Sequence, residues 1–326
     1  MEVDAAPARD PLRCLVVSDG RRGIENQALG LAEAVARVTT ITIQTVHLPR
    51  SGAVAAPPGA REGVDLWIGC GRAARRAARA HKAALPGARF VYVQDPRADY
   101  DVFDLIVAPR HDRLSGRNVL PILGSPNRIT PERLSEGEAE FSETLASLPR
   151  PRVAVLLGGD SKHHRFNETT CANLLETVER IAAQAGSVMI TPSRRSPASF
   201  RTALAERFGG KSNVWLHHGD GPNPYFAFLS AADWICVTED STNMLCEAAS
   251  AGKPVYRLLV DGKPGKFRRL YAGLEGEGAV RPFLGELERW AAPGLDETGR
   301  AANALLEILG LDDEVKARST RKESRS

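Results

Sequence analysis

Short apolar runs alternate with amphipathic stretches along the chain. In the first half, the apolar runs have the length and the β-branched content of buried strands, and helical spacing of apolar positions follows at 28–38 and 72–84. The runs lie at residues 12–18, 41–48, 66–70, 90–94 and 105–108. Strands that alternate with helices predict a parallel sheet covered on both faces.

A helical segment at 131–148 ends in Pro149-Arg150-Pro151, where we predict a domain boundary because the same pattern then restarts. The later elements are strands at 153–157, 187–191, 214–216, 234–237 and 255–260, helices at 167–185, between 192 and 213 and after Asn223, and a last helix over 285–290 and 297–309. The predicted domains are a flexible N-terminus (1–10), two Rossmann-like α/β halves (11–148 and 149–284), a C-terminal helical segment that packs back (285–311) and a disordered charged tail (312–326).

The stretch from Asp233 to Val255 is predicted to form a strand, a polar turn, a short helix and the next strand. Asp240 or Ser241 can cap this helix, and Gly252 supplies its C′ position. The polar residues therefore follow the carboxyl end of a strand, where a helix N-terminus presents unpaired N–H groups to anions.

The composition is that of an ordinary soluble α/β protein, with 43% apolar residues and a net charge of +3, which is too small to indicate nucleic-acid binding. Five cysteines without metal-ligand spacing favour reduced thiols, and we expect no metal site. Residues 1–10 lack the features of a secretory signal, and no apolar run reaches the roughly 18 residues of a membrane span. We therefore predict a cytoplasmic protein, with peripheral contact to the inner membrane left open.

Two groups of residues in the second half suit a diphosphate. Gly158, Gly159 and Ser161 follow the strand at 153–157 and would let a phosphate approach the backbone, although an ordinary strand-to-helix turn would look the same. Arg194 and Arg195 follow the next strand and could pair with phosphate oxygens. The alternative for the arginines is a solvated surface pair.

The short helix within 233–255 carries further candidates. Glu247 can accept hydrogen bonds from the two hydroxyls of a ribose, while Ser241 and Thr242 offer donors to phosphate. Glu239 and Asp240 conflict with this interpretation, because acids repel phosphate unless a metal intervenes or they address neutral hydroxyls. The alternative is helix capping by Asp240 and an exposed Glu247.

Acid–base candidates lie in the first half. Asp19 and Glu25 belong to a glycine-punctuated turn after the first strand, and either could act as a general base once desolvated. His111 and Asp112 follow the strand that ends at Ala108. Surface charge alone would also explain the turn, and a lone histidine is more often structural.

One predicted helix carries a basic stripe. Its arginines fall at three- and four-residue steps and are Arg72, Arg75, Arg76 and Arg79. Such a stripe could contact anionic lipid headgroups or an acidic partner, and a solvated helix face explains it equally well.

Several separated motifs occur together in this chain. They are Val17-Ser18-Asp19-Gly20 with 25–34, Ala108-Pro109-Arg110-His111-Asp112 with Asn118-Val119, Leu157-Gly158-Gly159, Ser193-Arg194-Arg195, Asn223-Pro224-Tyr225 and Val237-Thr238-Glu239-Asp240-Ser241. In this order they resemble the elongated-mitochondria, or mitochondrial fission, family of plants and proteobacteria, over most of the chain. The Ala/Arg-rich composition is more typical of a bacterial member. Plant members are linked with recruiting dynamin-related proteins at the outer mitochondrial membrane.

The segment from Glu247 to Val255 is similar to the donor-ribose motif of GT-B glycosyltransferases, especially the membrane-surface enzymes that add N-acetylglucosamine to lipid-linked precursors. In those enzymes the glutamate binds ribose, and an N-terminal glycine-rich loop carries a histidine. Here Asp240-Ser241-Thr242 is bulkier and more acidic than the matching residues, and the turn from Gly20 to Glu25 has no clear counterpart of that histidine.

The resemblance implies a GT-B-like α/β fold of two Rossmann-like halves facing across a cleft. It implies a glycosyltransferase that uses a nucleotide-diphosphate sugar as co-substrate, with no tightly bound cofactor and with a membrane-associated lipid or cell-envelope acceptor. The implied residues are Glu247 for ribose, Arg194, Ser241 and Gly159 for the diphosphate, Asn223 to Tyr225 for the base, and Glu25, Asp19 or His111 for deprotonating the acceptor. The alternatives are an inactive GT-B-like adaptor in membrane or division-related protein recruitment and a nucleotide-sugar epimerase. The oligomeric state stays open.

Overall fold

The computed structural model describes residues 11–52, 54, 56–57 and 63–309, with side chains up to residue 308. These residues form two compact units, one of residues 11–128 with 297–309 and the other of residues 129–296. The predicted N-terminal segment 1–10 and the predicted tail 312–326 lie outside the described residues.

The first unit is a six-stranded parallel sheet with helices on both faces. Its strands are β1 (Leu12–Ser18), β2 (Ile41–His47), β3 (Leu66–Cys70), β4 (Arg89–Val93), β5 (Leu105–Pro109) and β6 (Val119–Ile122), in the order β2-β1-β3-β4-β5-β6. Its helices are α1 (Arg22–Ala36), α2 (Gly71–Ala84) and α10 (Glu297–Leu309).

Alternate residues of β1 contribute to two separate cores. Cys14 and Val16 pack with α1 and α10, whereas Leu15 and Val17 pack with α2 on the opposite face. Side chains alternate across a strand, and a parallel sheet is buried on both faces. This is why the strand is apolar at consecutive positions rather than at every second one.

The second unit is also a six-stranded parallel sheet. Its strands are β7 (Arg152–Leu157), β8 (Ser187–Pro192), β9 (Val214–Leu216), β10 (Trp234–Thr238), β11 (Val255–Leu258) and β12 (Val280–Pro282), in the order β12-β11-β10-β7-β8-β9. Its helices are α3 (Pro131–Glu140), α4 (Ser142–Ala146), α5 (Glu168–Ala182), α6 (Ala198–Phe208), α7 (Tyr225–Ala231), α8 (Thr242–Ser250) and α9 (Phe267–Gly276).

The direction in which strands are added reverses once in each sheet. The reversal falls between β1 and β3 in the first unit and between β7 and β10 in the second. The second unit has the strand order of dinucleotide-binding folds, and ligands of open parallel sheets bind beyond the carboxyl ends of the strands at the reversal. The prediction of two Rossmann-like α/β halves is confirmed.

The division between the units differs from the predicted boundary at 148/149. Helix α3 packs in the second unit, where a Cβ on Gly137 would lie 2.7 Å from the Cβ of Phe226 in α7. The chain after α4 is tied to the same unit, because Arg152 donates a hydrogen bond to the Leu145 carbonyl at 2.6 Å. The predicted C-terminal segment is also divided, since 285–296 belongs to the second unit and α10 packs with α1 in the first.

The predicted helix over 285–290 is wrong. Its backbone groups bond to side chains of the second unit instead: Trp234 Nε1 donates to the Glu288 carbonyl at 2.6 Å, and Leu287 N–H donates to Gln184 Oε1 at 2.9 Å. Gly285 has a φ of 119°, which no right-handed helix allows. Among the described helices, none combines the length and the apolarity needed to cross a membrane.

Candidate functional site

Three turns of the second unit meet beyond the carboxyl ends of β7, β8 and β10, at the reversal of strand order. Gly158 and Gly159 follow β7, Arg195 follows β8 and Asp240 follows β10. Gly158 N–H donates to Thr238 Oγ1 at 2.7 Å, and Gly159 N–H donates to Asp240 Oδ2 at 3.0 Å. Hydrogen bonds therefore join the turn after β7 to the turn after β10.

Asp240 is the centre of this arrangement. Its side chain is 0% exposed, and Oδ2 also accepts a hydrogen bond from Arg195 Nη2 at 2.9 Å. Burial raises the pKa of Asp240, and the hydrogen bonds from Gly159 and Arg195 oppose that rise. Asp240 Oδ1 is buried and has no hydrogen-bond partner among the described residues. Arg195 thus compensates a carboxylate inside the protein.

The two glycines leave no room for a side chain. A Cβ on Gly158 would lie 2.1 Å from Asp240 Oδ1, and a Cβ on Gly159 would lie 2.1 Å from the backbone carbonyl carbon of Arg195. Both glycine N–H groups are bonded within the protein rather than offered to a phosphate. Gly158 and Gly159 therefore allow the turns after β7, β8 and β10 to pack closely.

The two predicted arginines have different roles. Arg195 Nη1 donates to the carbonyl oxygens of Gly159 and Asp160, at 3.0 and 2.9 Å. Arg194 is exposed and forms no ion pair with the described residues. Of the two, Arg194 has the guanidinium that is available to a ligand.

Ser161, predicted near the phosphates, stabilises its own turn. Its Oγ accepts hydrogen bonds from the N–H groups of His163 and His164, at 3.2 and 3.0 Å. His164 is buried, and its Nε2 lies 4.0 Å from Glu239 Oε1. Burial lowers the pKa of His164, so the ring stays neutral near neutral pH.

Glu239 is also compensated within the second unit. Its carboxylate pairs with Arg257 and accepts a hydrogen bond from Val260 N–H at 3.2 Å. Arg257 in turn bonds to Glu275 at 2.9 Å. Glu239 and Asp240 are each paired with an arginine, which compensates their negative charge. The repulsion of a diphosphate that these acids would otherwise cause is therefore much reduced.

Glu247 and Tyr225 come together from α8 and α7. Tyr225 Oη donates to Glu247 Oε2 at 2.6 Å, and both side chains are half-buried. Asn223 Oδ1 accepts a hydrogen bond from Tyr225 N–H at 3.3 Å. Burial raises the pKa of Glu247 from 4.5 to about 7, although the hydrogen bond from Tyr225 opposes the rise. Asn223, Tyr225 and Glu247, which were predicted separately, thus lie in one place.

Helix α8 begins at Thr242, with Ser241 at its N-cap. The Ser241 side chain forms no capping hydrogen bond, and the Asp240 carboxylate is bonded elsewhere, so the predicted cap is wrong. The N–H groups of a first helical turn lack partners within the helix and carry its positive partial charge. Helix α8 therefore offers hydrogen-bond donors at its N-terminus and a hydrogen-bond acceptor, the carboxylate of Glu247, further along.

Asp19 follows β1 in the first unit and has a buried carboxylate. Arg21 Nη2 lies 2.8 Å and Arg50 Nε lies 3.7 Å from its Oδ2. Burial alone would raise the pKa of Asp19, but the hydrogen bonds and charge of Arg21, with the charge of Arg50, hold it below its usual value. A carboxylate that is ion-paired in this way is a poor general base.

Glu25, in the first turn of α1, belongs to a different cluster. Ser18 Oγ donates to Glu25 Oε2 at 2.9 Å, and His47 Nε2 contacts the same oxygen. His47 ends β2 and is the register partner of Ser18 in β1. Sequence reasoning missed His47, and the only signal was its place at the carboxyl end of a predicted strand.

His111 lies apart from this cluster. It belongs to a 3-10 turn, Arg110–Asp112, that follows β5, and β3 and β4 separate β5 from β1 in the sheet. The side chain is buried, with Nε2 4.0 Å from Asp112 Oδ1. The structure places Asp19 and Glu25 near the carboxyl end of β1, with separate partners, and leaves His111 elsewhere.

The predicted basic stripe on α2 is largely bonded within the first unit. Arg75 and Arg79 each contact Asp99 at 3.1 Å. Arg76 donates to the backbone carbonyls of residues 49 and 50, at 2.7 and 2.6 Å. Arg72 is exposed. Most of the stripe is therefore not a set of free charges for lipid headgroups.

Solved structures are similar to this protein in fold at low sequence identity. The UDP-GlcNAc 2-epimerase of Methanocaldococcus jannaschii is similar with a TM-score of 0.54 and 12% identity, over 92% of this chain and 99% of that chain. Its complex with UDP-GlcNAc and UDP is similar with a TM-score of 0.50 and 13% identity, over the same shares. The ADP-heptose LPS heptosyltransferase II of E. coli is similar with a TM-score of 0.50 and 12% identity, over 93% of this chain and 100% of that chain. These likenesses show the GT-B-like fold.

Two relatives are similar in sequence. The mitochondrial fission protein ELM1 of Arabidopsis thaliana is 28% identical over 272 residues, which cover 75% of this chain and 64% of the plant protein, less than two thirds of its length. The uncharacterized protein RP120 of Rickettsia prowazekii (strain Madrid E) is 26% identical over 296 residues, which cover 74% of this chain and 81% of that protein. The model of the family described as "Mitochondrial fission ELM1" matches residues 22–309, and the chain belongs to that family.

Proposed function

We propose that the protein binds a nucleotide-diphosphate sugar on its second unit and transfers the sugar to an acceptor hydroxyl. The observation that carries this proposal is the contact between Glu247 and Tyr225 beside the reversal of strand order. An ionised carboxylate has about four lone-pair positions, so Glu247 can accept from ribose hydroxyls in addition to Tyr225. Tyr225 and Asn223 would lie near the base.

The diphosphate would lie at the N-terminus of α8. Ser241, Thr242 and the exposed guanidinium of Arg194 would donate to its oxygens. Gly158, Gly159 and Arg195 would act indirectly, by holding the turns around Asp240. The complex of the similar epimerase with UDP-GlcNAc and UDP, and the similar heptosyltransferase named for ADP-heptose, support a nucleotide sugar as the ligand class.

Isothermal titration calorimetry against UDP-, GDP- and ADP-sugars, with CMP-sugars as a comparison that carries a single phosphate, tests this proposal. We expect one nucleotide class to bind with a Kd between about 1 μM and 1 mM, the usual range for metabolic substrates. The matching nucleoside monophosphate serves as the control and should bind more weakly, because it lacks the second phosphate. Absence of binding to every member of the panel, with circular dichroism showing a folded protein, would reject the proposal.

The two arginines after β8 should respond differently to substitution. Arg194→Ala is expected to weaken nucleotide-sugar binding about tenfold, the effect of losing one charge-assisted hydrogen bond, without changing stability. Arg195→Ala is expected to lower the free energy of unfolding by about 2 kcal/mol, because it leaves the buried Asp240 carboxylate without its cation. Calorimetry and urea denaturation of both variants measure the two effects. Equal effects of the two substitutions on both readouts would contradict this division of roles.

A second candidate function is an adaptor without transfer activity. The internal bonding of the Gly158 and Gly159 N–H groups favours it, and so does the name of the Arabidopsis relative as a mitochondrial fission protein. The same calorimetry separates the two functions, since an adaptor of this kind predicts no binding of any nucleotide sugar. An epimerase, the third candidate, would bind the nucleotide sugar and convert its sugar without an acceptor, which NMR of the product detects.

A further inference from the structure

An open cleft of the second unit lies between the carboxyl ends of β8 and β9 and one face of α6. Its volume is about 290 Å³, close to the roughly 300 Å³ at which small-molecule sites begin. Its lining consists of apolar and polar residues, chiefly Pro192, Ala198 and Leu216 with Arg201, Thr202 and His218. Because β7 separates β8 from β10 in the sheet, this cleft is distinct from the turn after β10 and the N-terminus of α8.

Arg201 is the cation of this cleft, and the turn after β8 fixes the direction of its side chain. Its Nη1 donates to the backbone carbonyl of Ser196 at 2.8 Å. Ser196 is buried, and its Oγ donates in turn to the carbonyl of Gly158. The group that accepts from Arg201 is therefore a fixed part of the fold, and the guanidinium has a defined orientation although the residue is exposed.

The charge of Arg201 is not compensated within the part of the chain that the structure describes. Its guanidinium forms no ion pair there, and its Nε and Nη2 have no hydrogen-bond acceptor there. These two nitrogens share one edge of the guanidinium, which is the geometry that pairs with both oxygens of a carboxylate. Arg207 on the same helix uses this edge already, because its Nε and Nη2 donate to the two carboxylate oxygens of Glu179 at 2.5 and 2.7 Å.

The rest of the lining favours an anion with an apolar body. None of the residues that line the cleft carries a carboxylate. Helix α6 begins at Ala198, and Pro197 at its N-cap has no side-chain acceptor for the N–H groups of the first turn, which carry positive partial charge. One guanidinium balances the single charge of a carboxylate, whereas a phosphate monoester carries a charge of about −1.5 to −2 near pH 7.

We propose that this cleft binds a small monocarboxylate with an aromatic ring or a short aliphatic chain. Nε and Nη2 of Arg201 would donate to the two carboxylate oxygens, and the apolar body would lie against Pro192, Ala198 and Leu216. The site uses none of the residues to which the proposed function gives a contact with the nucleotide sugar. It can therefore exist whether or not the proposed function holds.

Calorimetric titration of the full chain with sodium benzoate, at high ligand concentration, tests this site. We expect a Kd of about 1 mM, an ordinary affinity for a ligand of about nine non-hydrogen atoms. Benzyl alcohol lacks the charge and acetate lacks the ring, so each should bind roughly tenfold more weakly or worse. Inorganic phosphate and sulfate have no apolar body and should also bind more weakly than benzoate. If they bind as tightly, the cleft holds an adventitious ion only, and the proposal is overturned.

Two substitutions locate the binding in the cleft. Arg201→Gln should weaken benzoate binding about tenfold or more, because the charge-assisted pair is lost. Arg207→Gln is its control, since that guanidinium already pairs with Glu179. Ala198→Leu should weaken binding about tenfold by filling the cleft, and Ala272→Leu, at an exposed alanine of α9, is its control. Circular dichroism checks that each variant is folded. Benzoate binding at the wild-type affinity in folded Arg201→Gln would overturn the proposal.

Competition separates the cleft from the nucleotide-sugar site. Saturation with the nucleotide sugar that calorimetry identifies should leave the Kd of benzoate within about twofold, because the two ligands use different residues. Displacement of benzoate would instead assign the cleft to the nucleotide sugar and overturn the proposal. If benzoate binds as expected and no nucleotide sugar does, only the proposed function fails. If a nucleotide sugar binds and benzoate does not, only the cleft proposal fails.

Discussion

Replacing Glu247 with glutamine is expected to weaken nucleotide-sugar binding about 100-fold at pH 8. The amide can still accept the hydrogen bond from Tyr225, but it lacks the charge and the second acceptor oxygen that the ribose hydroxyls would use. Two hydrogen bonds to a charged group, each of about 1.5 kcal/mol, account for that factor. Calorimetry with the nucleotide sugar measures it, and Glu277→Gln, at an exposed carboxylate of the same unit, is the control.

The same carboxylate should make binding depend on pH. Burial raises the pKa of Glu247 to about 7, so the group is mostly protonated at pH 6 and mostly ionised at pH 8. Since the ionised form is the better acceptor for ribose hydroxyls, the affinity of the wild-type protein should rise roughly tenfold between these pH values. A nucleotide sugar is the suitable ligand because its diphosphate does not titrate in this range. An equal slope in Glu247→Gln would assign the pH dependence to another group.

Glu247 should make the stability of the fold change with pH in the direction opposite to the ligand affinity. Its pKa is about 7 in the folded protein and near 4.5 without burial, so between these values the folded state binds more protons than the unfolded state. Stability therefore falls as the pH rises from about 4.5 to 7. Glutamine does not titrate, and the variant should exceed the wild type by about 1–2 kcal/mol at pH 8, with little of this difference left at pH 4. Urea denaturation at the two pH values checks this, and a variant that is less stable at pH 8 would contradict it.

Gly158→Ala is expected to lower the free energy of unfolding by about 3 kcal/mol, at the upper end of the cost of overpacking. The added Cβ would lie 2.1 Å from Asp240 Oδ1, so the turn after β7 or the turn after β10 must move. Either movement stretches the hydrogen bonds that Asp240 accepts from Gly159 and Arg195. Urea denaturation followed by tryptophan fluorescence measures the loss.

Gly276→Ala provides the matched control for this substitution. Gly276 ends α9 in the same unit, and a Cβ there would meet no atom within 4 Å. Alanine is the better helix former by up to about 1 kcal/mol, so this variant should be as stable as the wild type or slightly more stable. If Gly158→Ala behaved in the same way, the three turns around Asp240 would have to be loosely packed.

The buried strands could be predicted from the sequence because their signal is local. β1 and β3 occupy the predicted residues, since each contains a run of consecutive buried residues, 14–17 and 66–70, in a sheet covered on both faces. The edge strands β6 and β12 escaped prediction because each contains a proline, Pro121 or Pro282. A proline argues against a central strand, but at a sheet edge its missing N–H can face away from the ladder.

The candidate site was predictable to the extent that its residues follow strand ends. Glu247 could be named because its helix follows a predicted strand, at the carboxyl edge that open sheets use for ligands. Tyr225 could be named only from the resemblance to a known family. The partners of Asp240 could not be, because they come from turns after two other strands, at Gly159 and Arg195. His47 was missed for a similar reason, since its contact with Glu25 depends on the pairing of β2 with β1.

The placement of α10 has a consequence for synthesis on the ribosome. This helix contributes Leu305 and Leu306 to the core beside α1, and Glu297 at its start accepts a hydrogen bond from Leu123 N–H at 2.5 Å. The whole of 129–296 leaves the ribosome before α10 does, so the second unit can fold while that face of α1 is still uncovered. The first unit is thus begun before the second but completed after it. Until α10 covers α1, the first unit exposes an apolar surface of the kind that chaperones bind.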